Sequence, residues 1–264
     1  RAIYEHYLPT QAGGALPATD AGAIVSIADK MDTIAGFFAV NLIPTGTADP
    51  YALRRQALGI IHIILAKGYS APLEDLVDRS LALLGAKAKR PTAEIRADIL
   101  EFFRGRLENL LIAQGAPYDV VDAVLAAGFS DLVRTSKRIA AMTAFKDHAD
   151  FEPLAVAFKR VKNILKDFEA GEVQESLLDL PEEKALHRAY LDVRARAAGR
   201  LEADDYAAAL IEMAKIRPPV DAFFETVLVM AEDERIRNNR LSLLAEISAL
   251  LRRVADFARI VTEH

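Results

Sequence analysis

Asp29 and Asp32, in the run AlaAspLysMetAspThr from Ala28 to Thr33, are the carboxylates whose setting demands a partner. The helix predicted to carry them places Ile24, Ile27, Met31, Ile34 and Phe38 at steps of three and four, a stripe that faces a core. At about 100° per residue, Ala21, Val25, Ala28, Asp32 and Gly36 form a second, small-residue face with Asp29 at its edge, leaving Ser26, Lys30 and Thr33 for solvent. A helix packed on two sides is interior, and a carboxylate among alanines and a glycine needs a cation, a donor or a metal to offset its lost hydration. The five histidines show neither HxH nor HExxH spacing, so we expect no metal site in these residues. Nucleophile-elbow, phosphate-loop and dinucleotide-binding signatures are absent too, and we expect no catalytic residue in these residues.

The cations offer a different chemistry. In the loop Asn41 to Pro50, Asp49 can cap the next helix with Pro50 at its first position, which puts Arg54 and Arg55 in its opening turns. Two cations there oppose the helix dipole, so an anionic partner is expected, either Asp29 and Asp32 or a ligand outside the chain. Farther on, Leu154, Phe158, Val161, Leu165 and Phe168 make an apolar base beneath Lys159, Arg160, Lys162 and Asn163. A second polar group is Arg235, Arg237, Asn239 and Arg240. Lys and Arg hold phosphates while asparagines meet base edges, so these two groups can grip RNA. The other reading is a solvated face with internal salt bridges to Asp233 and Glu234.

Positioning these residues is the work of helices. Helical spacing or caps mark Asp20 to Phe38, Ala52 to Leu65, Leu73 to Leu84, Ile95 to Ile112 after a Thr92 cap, Val120 to Ala127 and Asp131 to Phe145 after Ser130. Beyond Asp150 the pattern continues with Asp179 to about Arg200, a helix from Asp204 or Asp205 ended by Pro218 and Pro219, and Ala222 to Met230 capped by Asp221. A last helix carries Leu243, Ile247, Leu250, Val254, Phe257 and Val261. Apolar alternation never persists, so the expected fold is all-α, with a domain boundary between Gly128 and Asp150.

Composition narrows the class. At 52% apolar and 27% charged residues, the chain is expected to be a soluble globular protein rather than a disordered one. No cysteine is present, which excludes disulfides, thiolate zinc sites and a cysteine nucleophile and fits an intracellular setting. No apolar run approaches the roughly 18 to 20 residues of a membrane span. The net charge of −5 argues against a generic nucleic-acid binder, and against DNA, but it hides an asymmetry. Arg134 to Lys166 holds eight cations against three acids, whereas Asp167 to Glu183 holds seven acids and no cation. One basic face on an acidic protein suits a selective RNA binder. The opening Arg1, with no signal pattern behind it, leads us to expect a piece of a longer chain.

The runs ADKMDT (Ala28 to Thr33), PTG (Pro44 to Gly46) and DPYALRR (Asp49 to Arg55), with EHYLP (Glu5 to Pro9) upstream, resemble the β subunit of bacterial two-subunit glycyl-tRNA synthetase. FFRGRLENLL, AFKRVKNIL and VMAEDERIRNNRLSLL (Val229 to Leu244) extend the resemblance over nearly the whole chain, although Gly14 stands where that family more usually has Asp. The first part also resembles the last metal-binding segment of HD phosphohydrolases, without their paired His-Asp; that resemblance makes Asp29 the last ligand and His6 an earlier one of a metal that activates water, and implies an HD-like pocket of His6, Asp29 and Asp32 retained for packing. The resemblance implies an N-terminally truncated HD-like helical region with a helical linker over 1–128, then an anticodon-binding helical bundle over 129–264. It further implies that tRNA-Gly and the α subunit, in an α2β2 assembly, are the partners. ATP and Mg would be used through the α subunit, no cofactor would be bound here, and the location would be cytoplasmic. Residue by residue it carries tRNA contact to Lys159, Arg160, Lys162, Asn163, Arg235, Arg237, Asn239 and Arg240, with Arg54 and Arg55. Two other readings stand beside it, an HD-type metal-dependent phosphohydrolase and a purely structural docking subunit.

Overall fold

A computed structural model describes residues 1–166 and 168–261, so Asp167, the first acid of the acidic run, lies outside the described residues. Among the described residues the chain forms helices and no β-sheet, apart from one isolated bridge between Thr45 and Ala48. It divides into two compact units, residues 1–115 with 129–136, and residues 116–128 with 137–264.

In the first unit, α2 (Asp20–Ala39) packs against α1 (Ala2–Glu5), α3 (Leu53–Lys67), α4 (Leu73–Leu84) and α5 (Thr92–Ala113). Its cap is Thr19, whose hydroxyl accepts from the Gly22 N–H at 3.1 Å. Ile27, Met31, Ile34 and Phe38 are buried as their spacing predicts, but Ile24 is exposed. The two remaining faces are the reverse of the expectation. Ala21, Val25, Ala28, Asp29 and Asp32 are exposed, while Ser26 and Lys30 are buried. The reason is the segment that follows α1: the Lys30 ammonium donates to the carbonyls of His6 and Leu8, each at 3.0 Å, and to Ser26 Oγ at 2.8 Å. Ser26 Oγ in turn donates to the Leu8 carbonyl at 2.7 Å. Three neutral acceptors offset the burial of a charge that a polarity pattern assigns to water.

Glu5 anchors the same segment from the other side. It is buried, takes the Thr19 N–H at 3.0 Å and the Thr19 hydroxyl, and pairs with Arg1 at 2.8 Å. Those bonds, the Thr19 hydroxyl first, pull its pKa down to about 2. A Cβ on Gly22 would lie 2.3 Å from Glu5 Oε2, so only glycine fits there.

Asp49 does cap α3, accepting from the Leu53 and Arg54 N–H groups at 2.8 and 3.0 Å. The helix begins at Leu53, three residues beyond Pro50, because Ala52 turns left-handed at φ 55°. Residues 129–136 belong to this unit through Leu73 N–H, which donates to the Ser130 carbonyl at 2.9 Å, and through Ser70, bonded to Asp131 at 2.6 Å. The cap of α7 (Leu132–Phe145) is Asp131 rather than Ser130, whose hydroxyl is taken by Glu74.

The second unit holds α6 (Tyr118–Ala126), α7 from Lys137 onward, α8 (Phe151–Ile164), α9 (Pro181–Glu202), α10 (Tyr206–Ala214), α11 (Arg217–Thr226) and α12 (Glu234–Arg252). Pro218 and Pro219 open α11 rather than end α10, since the first helical turn has no N–H bonds to lose. The final helix stops at Arg252, short of the expected stripe. The Asp256 N–H instead donates to the Ala123 carbonyl at 2.9 Å, and a 3₁₀ turn over Phe257–Arg259 packs Phe257 against α6 and α8, leaving Val261 exposed.

Candidate nucleic-acid interface

On α8, the buried residues Leu154, Phe158 and Val161 turn Arg160, Lys162 and Asn163 outward, while Lys159 is half-buried. Leu165 and Phe168, the end of the expected stripe, are only half-buried, because the helix closes at Ile164. The Arg160 guanidinium lies over the Phe224 ring of α11 at 4.3 Å. Lys162 pairs with Asp256 at 2.9 Å and keeps 53% of its side chain in water. Asp256 itself is largely buried and also meets Arg259 at 3.5 Å, so the ammonium has a fixed partner on one side and water on the other.

The four polar residues read on α12 separate into two kinds. Arg235 is 77% exposed, bonded to its own cap Asp233 at 3.3 Å, and Arg237 reaches Glu234 at 3.8 Å and the Ala231 carbonyl at 3.3 Å. Asn239 and Arg240, read with them for RNA contact, face the interior. Asn239 accepts from the Gln174 N–H at 2.7 Å and donates to the Gln174 carbonyl at 3.1 Å, which clips the acidic loop to the helix. Arg240 pairs with the fully buried Glu183 and donates to the Leu228 carbonyl at 2.8 Å. The hollow of about 600 Å³ beside that loop is lined from α12 by Arg235, Asn238, Asn239 and Ser242, of which Asn239 and Ser242 are already bonded to the loop and Asn238 is exposed. No sequence signal separates Asn238 from Asn239 except a turn of about 100° on a helix whose buried face had to be known first.

In the first unit, Arg54 donates to the Gly46 carbonyl at 2.6 Å and Arg55 is exposed. Among the described residues neither is ion-paired with Asp29 or Asp32. Arg106 on α5 went unread in the sequence; burial, then the nearby Arg54 charge, lower its pKa. Arg55, Asp29 and Lys30 line a hollow of about 370 Å³ with Tyr7, Thr10 and Gln56. Burial lowers the Lys30 pKa, with the Asp29 charge acting against it. His6 meets this hollow's lysine through its backbone carbonyl, and its ring packs on Tyr7 at 3.9 Å. Asp32 points to solvent. Among the described residues no three His, Cys, Asp or Glu side chains converge as metal ligands would.

Comparison with known proteins assigns both parts of the chain. Residues 1–126 match the family model described as glycyl-tRNA synthetase beta subunit, and residues 154–260 match the DALR anticodon binding domain. The glycine–tRNA ligase beta subunit of Syntrophus aciditrophicus is 62% identical over 263 residues, 100% of this chain and 38% of that protein. Those of Citrifermentans bemidjiense and Geobacter sp. strain M21 are 57% and 56% identical over 259 residues, 98% of this chain and again 38% of each relative. The chain thus spans 38% of the length of these relatives. It belongs to the family of glycyl-tRNA synthetase β subunits.

Proposed function

We propose that the chain is the tRNA-gripping portion of a glycine–tRNA ligase β subunit, holding tRNA-Gly while glycylation takes place on the α subunit. The observation that carries this reading is that residues 154–260, matched to an anticodon-binding domain, turn Arg160, Lys162 and Asn163 of α8 and Arg235 of α12 to solvent. These cations would hold phosphates and orient an anticodon loop, whose unstacked bases lie open to reading. ATP and Mg would act at the α subunit, in an α2β2 assembly in the cytoplasm. No described helix is long and apolar enough to cross a membrane.

The test is a titration of glycine tRNA and an unrelated tRNA across a range of salt. Each phosphate contact contributes a slope of roughly −0.7 to −0.9 in log K against log salt. The expected result is tighter binding of glycine tRNA with a slope of several contacts, lowered by Lys159→Ala with Arg160→Ala at unchanged helical content. Equal or absent binding of both tRNAs would refute the reading.

A further inference from the structure

Arg106 on α5 is half-buried, and among the described residues neither a carboxylate nor a carbonyl meets its guanidinium. Its contact is the Phe102 ring, 5.0 Å from Cζ. A cation that has lost part of its hydration ordinarily has an acceptor. The charges that act on Arg106 are instead those of Arg54, a second guanidinium, and of Asp49. Both Asp49 oxygens are engaged at the start of α3, by the Leu53 and Arg54 N–H groups. Arg54 is half-buried too, donates to the Gly46 carbonyl at 2.6 Å, and has no carboxylate partner among the described residues.

The packing of the first unit fixes this cluster. Helices α2, α3 and α5 rest on one another. Phe102, which carries the Arg106 guanidinium, meets Phe38 near the end of α2 at 5.2 Å, and the loop that Arg54 holds leaves from that end. Two cations are thus drawn together around one carboxylate already used as a helix cap, an arrangement that repels itself until a further anion arrives. A phosphate group has the matching shape. Each guanidinium offers a planar fork of donors, so forks from two helices can take different oxygens of one tetrahedral phosphate.

We infer that Arg54 and Arg106 form a phosphate-binding site in the first unit, bounded on one side by the loop around Gly46. Arg106 is its unassigned half, fixed in plane by Phe102 and free to bond. The phosphate belongs either to an RNA backbone or to a free phosphorylated compound, which present the same oxygens. The site lies outside residues 154–260 and stands whether or not those residues hold an anticodon loop.

The experiment compares wild type, Arg54→Gln, Arg106→Gln and Arg79→Gln, the last an exposed cation away from the cluster, with circular dichroism confirming the fold. Melting is followed in inorganic phosphate and in chloride at equal ionic strength. Phosphate also stabilises proteins by its exclusion from their surface, a gain that all four share. Wild type and Arg79→Gln should gain several further degrees from binding, and Arg54→Gln and Arg106→Gln should not. Calorimetric phosphate affinity should fall about ten- to a hundredfold in those two. In chloride, Arg106→Gln should melt no lower than wild type, because it removes a like charge from beside Arg54. Titration of glycine tRNA into the two-subunit ligase assembled with this chain separates the sources. A salt slope lower by about 0.7–0.9 in Arg106→Gln identifies a backbone phosphate of the tRNA. An unchanged slope with the phosphate gain lost identifies a free phosphorylated compound. Equal gains in all four proteins with an unchanged slope overturn the site, as does an Arg106→Gln variant destabilised equally in chloride and phosphate.

Discussion

Replacing Arg240 by Met should unfold the second unit at markedly lower denaturant while leaving RNA contact unaltered in whatever remains folded. Glu183 is fully buried, and its carboxylate has three donors: the Asp179 and Leu180 N–H groups at 2.8 and 2.7 Å, and the Arg240 guanidinium. The two backbone donors open α9 but carry no charge. Removing Arg240 therefore leaves an uncompensated buried anion and also strips a donor from the Leu228 carbonyl. Breaking a buried pair from one side costs about 3–5 kcal/mol. Glu183→Gln with Arg240→Met removes both charges, so the double variant should recover much of that loss while the new side-chain amide oxygen still accepts from the two N–H groups. The assay is guanidinium unfolding followed by circular dichroism, read as midpoint and slope for wild type, both single variants and the double. A loss below about 1 kcal/mol for Arg240→Met, or a double variant as unstable as the sum of the singles, would refute the buried-pair argument. A fully folded Arg240→Met that loses tRNA affinity would return Arg240 to the contact surface.

Other outcomes follow from the segment over α2. Gly22→Ala drives a methyl to 2.3 Å from Glu5 Oε2 and should cost about 1–3 kcal/mol, visible as a lower urea midpoint; an unchanged midpoint would show that Glu5 does not hold the segment there. The Glu5 pKa is depressed from 4.5 to about 2, so its stabilising contribution is complete above pH 4.5 and is lost as pH falls toward 2. Urea midpoints measured across that window should fall more steeply for wild type than for Glu5→Gln, and parallel curves would contradict the depressed value. Lys30→Met leaves the His6 carbonyl without its donor and the Leu8 carbonyl with Ser26 Oγ alone, and should lower the melting temperature by several degrees, corresponding to about 1–3 kcal/mol. A variant at least as stable as wild type would mean that the desolvation of the ammonium outweighs its three bonds.

The helices were legible because a spacing of three and four residues survives whatever packs on it. Leu73–Leu84 falls where the pattern puts it, and the interior of α5 does as well. Orientation was less legible. On α2, small side chains at Ala21, Val25 and Ala28 read as a packed face but stand in water, since a helix can expose alanine at little cost. Lys30 reads as solvated but is buried, because the carbonyls that receive it come from residues more than twenty positions away. The same limit divided the α12 set: Arg235 and Arg240 are alike in sequence, and only the position of Glu183 on another helix turns one of them inward. Phe224 had no signal of its own, because its partner Arg160 lies on a different helix.

Lys30 has one more consequence. An ammonium neutralised by a carboxylate vanishes electrically a few ångströms away, but one solvated by carbonyl and hydroxyl dipoles keeps its full unit of charge. Lys30 lies against the segment of His6 and Leu8 and lines the same hollow as Arg55, on a protein whose net charge is −5. Asp29 at the rim is bathed in water and damps the field of that charge without cancelling it. Lys30 is thus a cation of the first unit that a count of exposed side chains leaves out.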